Sequence, residues 1–365
     1  GKTRVRAIDW GPWAEVGMAV ETLEGVDSST PVGEPISQPL LDAETVDTQG
    51  NVSYLASWTT AEQWILDEHR TRDGDALLPG TGYIELAAQA LAASGEISGF
   101  EIADLTYLTP LRTPDDMQIS VKVDVTANDD GHAIEVSSAL DGETYTLHAE
   151  ARLARLVAEV PKIDIASIKS RLGPAEVASE TETVQTSQSK HLAFGPRWQV
   201  VKAQAFGKNE GLAELQMSII DDGYRVHPGM MDLATGFGLP LVENYSGDQF
   251  WVPLTYGKIK VFGPMPEKAY SWIRCAEGAS ADSENVRFDV SIADETGQVV
   301  IEVEGFTVHC LTQGIDFAKS AGAQGKPERV LSPAEERFKH TVEQGILPAD
   351  GAEMFFRAMA SNQPQ

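Results

Sequence analysis

"DEHRTRDGDALLPGTGYIELAAQALAAS", residues 67–94, changes character halfway. Its first part crowds charged residues around a single histidine, His69, then turns through Leu-Leu-Pro-Gly and ends as an almost uncharged run of Ala, Leu and Ile. The run has a helix former at nearly every position of 81–94, with Thr81 near its start and Gly95 past its end. Its apolar face is wide, which predicts a buried helix. Upstream, "VSYLASWT" reads as a strand and "TTAEQWILDEH" as a helix that Thr59 or Thr60 can cap. Downstream come "FEIADLTYLTPL", "MQISVKVDVTAND", "HAIEVSSAL" and "TYTLHAEARLARL", with Val, Ile and Thr alternating and Asp-Gly turns between them. That pattern is a series of antiparallel hairpins. One buried helix with a meander makes a complete small domain.

The plan then repeats. A charged, Ser- and Thr-rich break, 161–190, is followed by strands in "RWQVVKAQAFGKNEGLAELQMS", a helix in "HPGMMDLATGFGLPLVEN" and a second meander from "WVPLTYGKIKVFG" to "VVIEVEGFTVHCL". Two sheet-plus-helix halves, 36–160 and 191–318, indicate a duplicated α+β fold. Residues 1–35 read as an apolar start and a polar linker, and 319–365 as a spacer followed by helical segments.

The chain has 365 residues, 42% of them hydrophobic, enough for a substantial core. Its net charge of −27 argues against a phosphate-tracking surface and so against nucleic acid. The two cysteines, Cys275 and Cys310, sit in apolar strand-like surroundings and read as buried free thiols of a reducing compartment. With no apolar run of transmembrane length and no signal-peptide pattern, the expectation is a cytoplasmic protein without a membrane partner.

No Gly-x-Ser-x-Gly elbow, P-loop, His-Glu-x-x-His or Cys-x-x-Cys occurs, and "GTGYIE" at 80–85 is an incomplete dinucleotide fingerprint that follows a loop. No metal or cofactor is expected. His132, His148, His191, His309 and His340 have no acid or ligand at useful spacing and read as structural. His227, just before Pro228, sits at a helix entrance and suits a hydrogen-bonding anchor. His69 stands apart because Pro79-Gly80 opens the buried helix. Unpaired N–H groups at such an end can hold a developing oxyanion while an imidazole takes a proton. Asp232 is the lone acid of an apolar helical run, where burial raises a carboxyl pKa and the nearby helix N-terminus lowers it.

"WILDEHRTRDGDALLPGTGYIELA", "LAFGPRW", "VHPGMMDLATGF" and "VPLTYGKIKVFGPMPEKAYSWIR", in that order, resemble the dehydratase domain of modular polyketide synthases. The resemblance covers about residues 36–315 and implies a double hot-dog, in which each half wraps an antiparallel sheet around a long helix. It implies removal of water from a 3-hydroxyacyl thioester on the phosphopantetheine arm of an acyl carrier protein. His69 would be the base, Asp232 the acid and the Gly80 N–H the oxyanion donor. Pro79, Phe194, Gly195, Pro196, His227, Pro228 and Gly236 would line the substrate. Arg70, Arg72 and Arg197 are candidates for meeting the carrier protein, with ordinary solvated arginines as the plainer reading. Family members often form dimers, so a homodimer is a further expectation. A double-bond-shifting isomerase, a cyclising dehydratase and an inactive docking scaffold are the alternatives.

Four departures stand out. Gly74 and Pro79 lie five and ten places after His69, one more than the family's spacing, so the loop must bulge. Phe194 replaces a tyrosine, Gly236 stands where Gln or His commonly orients the acid, and Gln38-Pro39 replaces His-Pro. The flanks, "RVRAIDWGPWAEVGMA" at 4–19 and "GILPADGAEMFFRAMA" at 345–360, resemble parts of a polyketide ketoreductase. A ketoreductase is therefore the expected neighbour, into whose C-terminal part the dehydratase would be inserted. The flanks lack a complete nucleotide-binding motif.

Overall fold

Alternating apolar and polar residues become strands throughout the computed structural model, which describes residues 33–311 except 49, 96–98, 129–130, 141, 143, 180–182 and 187. The ketoreductase-like segments and the helices expected beyond 330 lie outside the described residues. The first half supplies β1 (Glu34–Pro35), β2 (Ala43–Val46), β3 (Val52–Trp58), β4 (His69–Thr71), β5 (Ala76–Leu77), β6 (Phe100–Tyr107), β7 (Arg112–Thr113), β8 (Ile119–Asn128), β9 (Gly131–Ala139) and β10 (Thr146–Arg155). The second supplies β11 (Glu176–Val177), β12 (Leu192–Phe194), β13 (Val201–Phe206), β14 (Glu210–Gln216), β15 (Phe250–Val261), β16 (Lys268–Cys275), β17 (Asn285–Ala293) and β18 (Val299–Leu311).

The main sheet has 14 strands in the order β1-β2-β3-β8-β9-β10-β6-β15-β18-β17-β16-β14-β13-β11. Its order is mirrored about the β6–β15 pair: β3-β8-β9-β10-β6 meets β15-β18-β17-β16-β14. That symmetry is the duplication read from the chain, and the fold is a double hot-dog. β6 and β15 pair from Phe100 opposite Val261 to Thr106 opposite Thr255, so one ladder joins the halves. A small sheet, β12-β4-β5-β7, also crosses between them.

Four α-helices are described: α1 (Trp64–Asp67), α2 (Gly80–Ala93), α3 (Ile165–Arg171) and α4 (Pro228–Gly236). The predicted buried helix is α2, enclosed continuously from Thr81 to Leu91. Its small residues let the sheet and α4 approach it closely. Gly80 is one such place, since a Cβ there would lie 3.0 Å from the Pro253 ring of β15 and 3.0 Å from the Tyr107 hydroxyl of β6. The helix starts one residue earlier than expected, with Pro79 as its N-cap. The helix expected from Thr59 is reduced to α1: the Thr59 carbonyl closes one turn onto the Glu62 and Gln63 N–H groups, and the extended backbone of Gln63 (φ −104°, ψ 98°) separates that turn from α1. Thr60 is drawn off to the Asp115 carbonyl, so neither threonine caps it. The charged 161–190 segment carries α3, capped by Asp164, and the short β11. Cys275 and Cys310 are buried and free. Among the described residues no helix is long and apolar enough to cross a membrane.

One polar group lies at the centre of this packing. Glu85, fully buried on α2, accepts hydrogen bonds from Gln89 Nε2 at 2.9 Å and from the backbone N–H groups of Arg225 at 3.1 Å and Val226 at 2.6 Å. Thr81, one turn earlier, donates to the Pro228 carbonyl at 2.9 Å. The entrance to α4 is therefore tied to α2. Burial pushes the Glu85 carboxyl up to about 7, against the donors that hold it down. A carboxyl with a higher pKa folded than unfolded adds most stability at low pH, and that contribution declines as pH rises from 4.5 to about 7. Glu85→Ala is expected to cost about 3 kcal/mol of unfolding free energy by leaving buried donors without an acceptor. Urea unfolding should show a wider gap to wild type near pH 5 than near pH 7.5.

Candidate active site

His69 opens β4, and the loop after it is a tight hairpin. The Thr71 N–H bonds the Asp75 carbonyl at 2.9 Å and the Gly74 N–H bonds the Thr71 carbonyl at 3.0 Å. Gly74 closes the turn at φ +99°, a conformation that L side chains rarely adopt. The extra residue after His69 is absorbed here. The chain returns through β5 so that the Leu77 carbonyl accepts a hydrogen bond from His69 Nδ1 at 2.9 Å. Since a carbonyl only accepts, Nδ1 carries the proton and Nε2 is the basic nitrogen.

β12 pairs with β4, placing Phe194 opposite His69. The Phe194 ring lies 5.7 Å from the imidazole. Gly195 follows where a Cβ would sit 2.3 Å from Glu68 Cγ, so only glycine lets the chain pass. Pro196 starts a 3-10 turn, Pro196–Trp198. The turn carries the Trp198 ring to 5.5 Å from His69 and its indole Nε1 to 2.8 Å from Asp232 Oδ2, to which it donates.

Asp232 lies on α4. His227 is the N-cap, its Nδ1 accepting from the Met230 N–H at 3.2 Å, and Pro228 opens the helix. His227 is thus the anchor its position suggested. Asp232 Oδ2 comes within 4.0 Å of His69 Nε2, with side-chain exposures of 28% and 9%. Burial lowers the pKa of His69, outweighing the pull of Asp232 and the Leu77 carbonyl. Burial likewise raises that of Asp232, outweighing His69 and the Trp198 donor. Both directions favour a neutral imidazole facing a protonated carboxyl.

A charged network stands behind the pair. Arg197 meets Glu68 at 2.5 Å through Nη1 and Asp221 at 2.7 Å through Nε, and its guanidinium lies 4.8 Å above the Trp64 ring. Glu68 also accepts the Arg197 backbone N–H at 2.7 Å. His227 stacks on Trp64 with 5.3 Å between centroids, its Nε2 3.5 Å from Asp221. Arg70 pairs with Asp67 and Asp115, and Arg72 bonds the Ser189 carbonyl. The three arginines read as carrier-protein candidates are therefore engaged within the chain.

Gly80 is the first residue of α2, so its N–H has no intrahelical acceptor. Its carbonyl accepts from the Tyr107 hydroxyl at 2.7 Å. Tyr107 and Tyr256 are near enough for the charge of Asp232 to reinforce the rise in phenol pKa that burial causes. Gly236 ends α4 four residues past Asp232, and a Cβ there would meet nothing within 4 Å. His148 and His309 have structural partners, the Ser138 hydroxyl with the Thr109 carbonyl and the Asn285 side chain.

Sequence reasoning missed Trp198, Glu68, Asp221, Tyr107, Tyr256 and Glu85. Glu85 carried the same signal as Asp232, an acid within an apolar helical run.

Comparison with known proteins identifies the family and the fold. A model of the polyketide synthase dehydratase domain matches residues 38–139, and one described as the polyketide synthase dehydratase N-terminal domain matches 170–318. Polyketide synthase PksM of Bacillus subtilis is 25% identical over 294 residues, covering 76% of this chain and 7% of PksM. The chain thus spans a small fraction of such a synthase. An inactive histidine-to-phenylalanine mutant of the CurJ dehydratase, in complex with a compound, superposes with a TM-score of 0.67 at 18% identity, covering 75% of this chain and 97% of that one. A trans-AT polyketide synthase dehydratase domain from Brevibacillus brevis gives 0.67 at 21% identity, with 76% and 100% covered. With one family model on each half of the fold and dehydratase domains as its structural relatives, the chain belongs to the polyketide synthase dehydratase domain family.

Proposed function

We propose that this domain removes water from a 3-hydroxyacyl thioester presented by an acyl carrier protein, with His69 as base and Asp232 as acid. The observation that carries the reading is the 4.0 Å approach of His69 Nε2 to Asp232 Oδ2, with burial driving their pKa values in opposite directions. His69 Nε2 takes the proton from Cα, and the Leu77 carbonyl stabilises the imidazolium that forms. The thioester oxygen, gaining charge as an enolate, meets the Gly80 N–H at the positive end of α2. Asp232 gives its proton to the leaving hydroxyl, which departs as water and leaves a 2-enoyl thioester. His69 has gained a proton and Asp232 has lost one, so transfer between them restores the starting state. The inactive histidine mutant among the structural relatives supports the choice of His69 by analogy. The chain would work inside a synthase, beside a carrier protein and neighbouring domains such as a ketoreductase.

Mass spectrometry of a 3-hydroxyacyl carrier-protein substrate tests this. Wild type should remove about 18 mass units, and His69→Ala and Asp232→Asn should each slow that loss by about 10²-fold or more. Unchanged turnover in either variant would sink the assignment. The working pair holds one proton, so kcat should be bell-shaped in pH. The acid limb, where His69 becomes charged, should lie below 6.5, and the alkaline limb, where Asp232 ionises, above 3.8.

A further inference from the structure

We infer that Trp198 is the positioning residue of the acid, its indole N–H holding Asp232 in the orientation that the reaction uses and leaving Oδ1 to carry the acid's proton. The inference rests on the dehydratase reading of His69 and Asp232. An indole N–H only donates, so Asp232 Oδ2, 2.8 Å from it, acts there as an acceptor. In the acid form the proton is then confined to Oδ1. That is the counterpart of the Leu77 carbonyl at His69, which confines the imidazole proton to Nδ1. Each member of the pair has its tautomer chosen by one hydrogen bond.

The indole is itself immobilised. Trp198 is 2% exposed, and it stacks on Phe194 at 6.2 Å with 14° between the rings. Its backbone N–H bonds the Gly195 carbonyl at 3.1 Å, and its neighbour Arg197 is clamped by Glu68 and Asp221. The helix that carries Asp232 offers no substitute. Gly236, one turn on, has no side chain, and open space lies where one would begin. Thr235 bonds back to the carbonyls of Met231 at 3.1 Å and Asp232 at 3.2 Å, and lies 3.4 Å from the Tyr256 hydroxyl. The donor for the acid therefore comes from the 3-10 turn.

The test compares the full chain with Trp198→Phe, Trp198→Phe/Gly236→Gln and Asp232→Asn, using a carrier protein loaded with a 3-hydroxybutyryl thioester. Trp198→Phe keeps a ring against His69 and removes the N–H. It should lower kcat about 10-fold or more, the size expected for a hydrogen bond to a charged group, with KM within about 2-fold. Losing a donor that favours the carboxylate should also move the alkaline limb of kcat to higher pH. Gln at position 236 can reach Asp232 from one turn away and should recover about 3-fold or more of the loss. If Trp198→Phe does not fold, benzothienylalanine placed at position 198 keeps the indole shape without its N–H and gives the same readout. A kcat within about 2-fold of wild type would overturn the inference. So would a fall in kcat with the alkaline limb unmoved and no recovery by Gly236→Gln, which would mark loss of packing alone. Asp232→Asn separates the two levels: full turnover in that variant overturns the dehydratase reading itself, whereas its loss beside an active Trp198→Phe overturns only the role of Trp198.

Discussion

His69 and Asp232 come from opposite halves of a duplicated fold, so their separation depends on bonds that cross between the halves. Glu85 makes the most constrained of these. Its buried carboxyl on α2 takes the N–H groups of Arg225 and Val226, the two residues before the His227 cap of α4. Thr81 holds Pro228 one turn away. Apolar packing between helices is non-directional and tolerates sliding, whereas these hydrogen bonds weaken steeply with distance and angle. The β6–β15 ladder brings the halves together, and the bonds from α2 fix where α4 begins. Glu68 does for the Gly195–Trp198 turn what Glu85 does for α4, through its carbonyl and both carboxylate oxygens.

Electrostatics follow from the same enclosure. In water an imidazolium and a carboxylate 4 Å apart attract each other by about 1 kcal/mol, which favours the charged forms. Here desolvation outweighs their attraction, and the neutral forms are favoured. The nearby Arg197 does not reverse this, because Glu68 and Asp221 neutralise it. Both shifts run toward a free base beside a protonated carboxyl, the condition that concerted proton removal and donation requires.

Much of this was legible in the chain. Alternation marked the strands, the uncharged run after Pro79 marked the central helix, and the repeated plan marked the duplication. His69 and Asp232 stood out by position. Other features depended on contacts that spacing cannot reveal. The charged residues Glu68, Arg197 and Asp221 look like loop residues in solvent, and become a buried network only because β12 is laid against β4. Glu85 was hidden by an excess of good helix formers around it, although an acid in a buried run always needs donors. The helix expected from Thr59 is interrupted at Gln63, whose backbone is extended at φ −104° and ψ 98°, a break that no breaker residue in the sequence marks.

The departures at Phe194 and Gly236 are best understood together with Trp198. Without a hydroxyl, Phe194 adds no polar group beside His69, and its ring deepens the apolar wall that keeps the imidazole neutral. Without a side chain, Gly236 leaves the acid no partner one turn along its own helix. The indole of Trp198 answers the second absence, yet it reaches Asp232 from another segment. A donor on α4 would move with the acid as a unit, and its hydrogen bond would survive a small shift of the helix. A donor on the 3-10 turn cannot. The orientation of Asp232 is thus tied to the same turn that Arg197, Glu68 and Asp221 lock against β4, so the charged network bears on the geometry of the pair without a side-chain hydrogen bond to either residue.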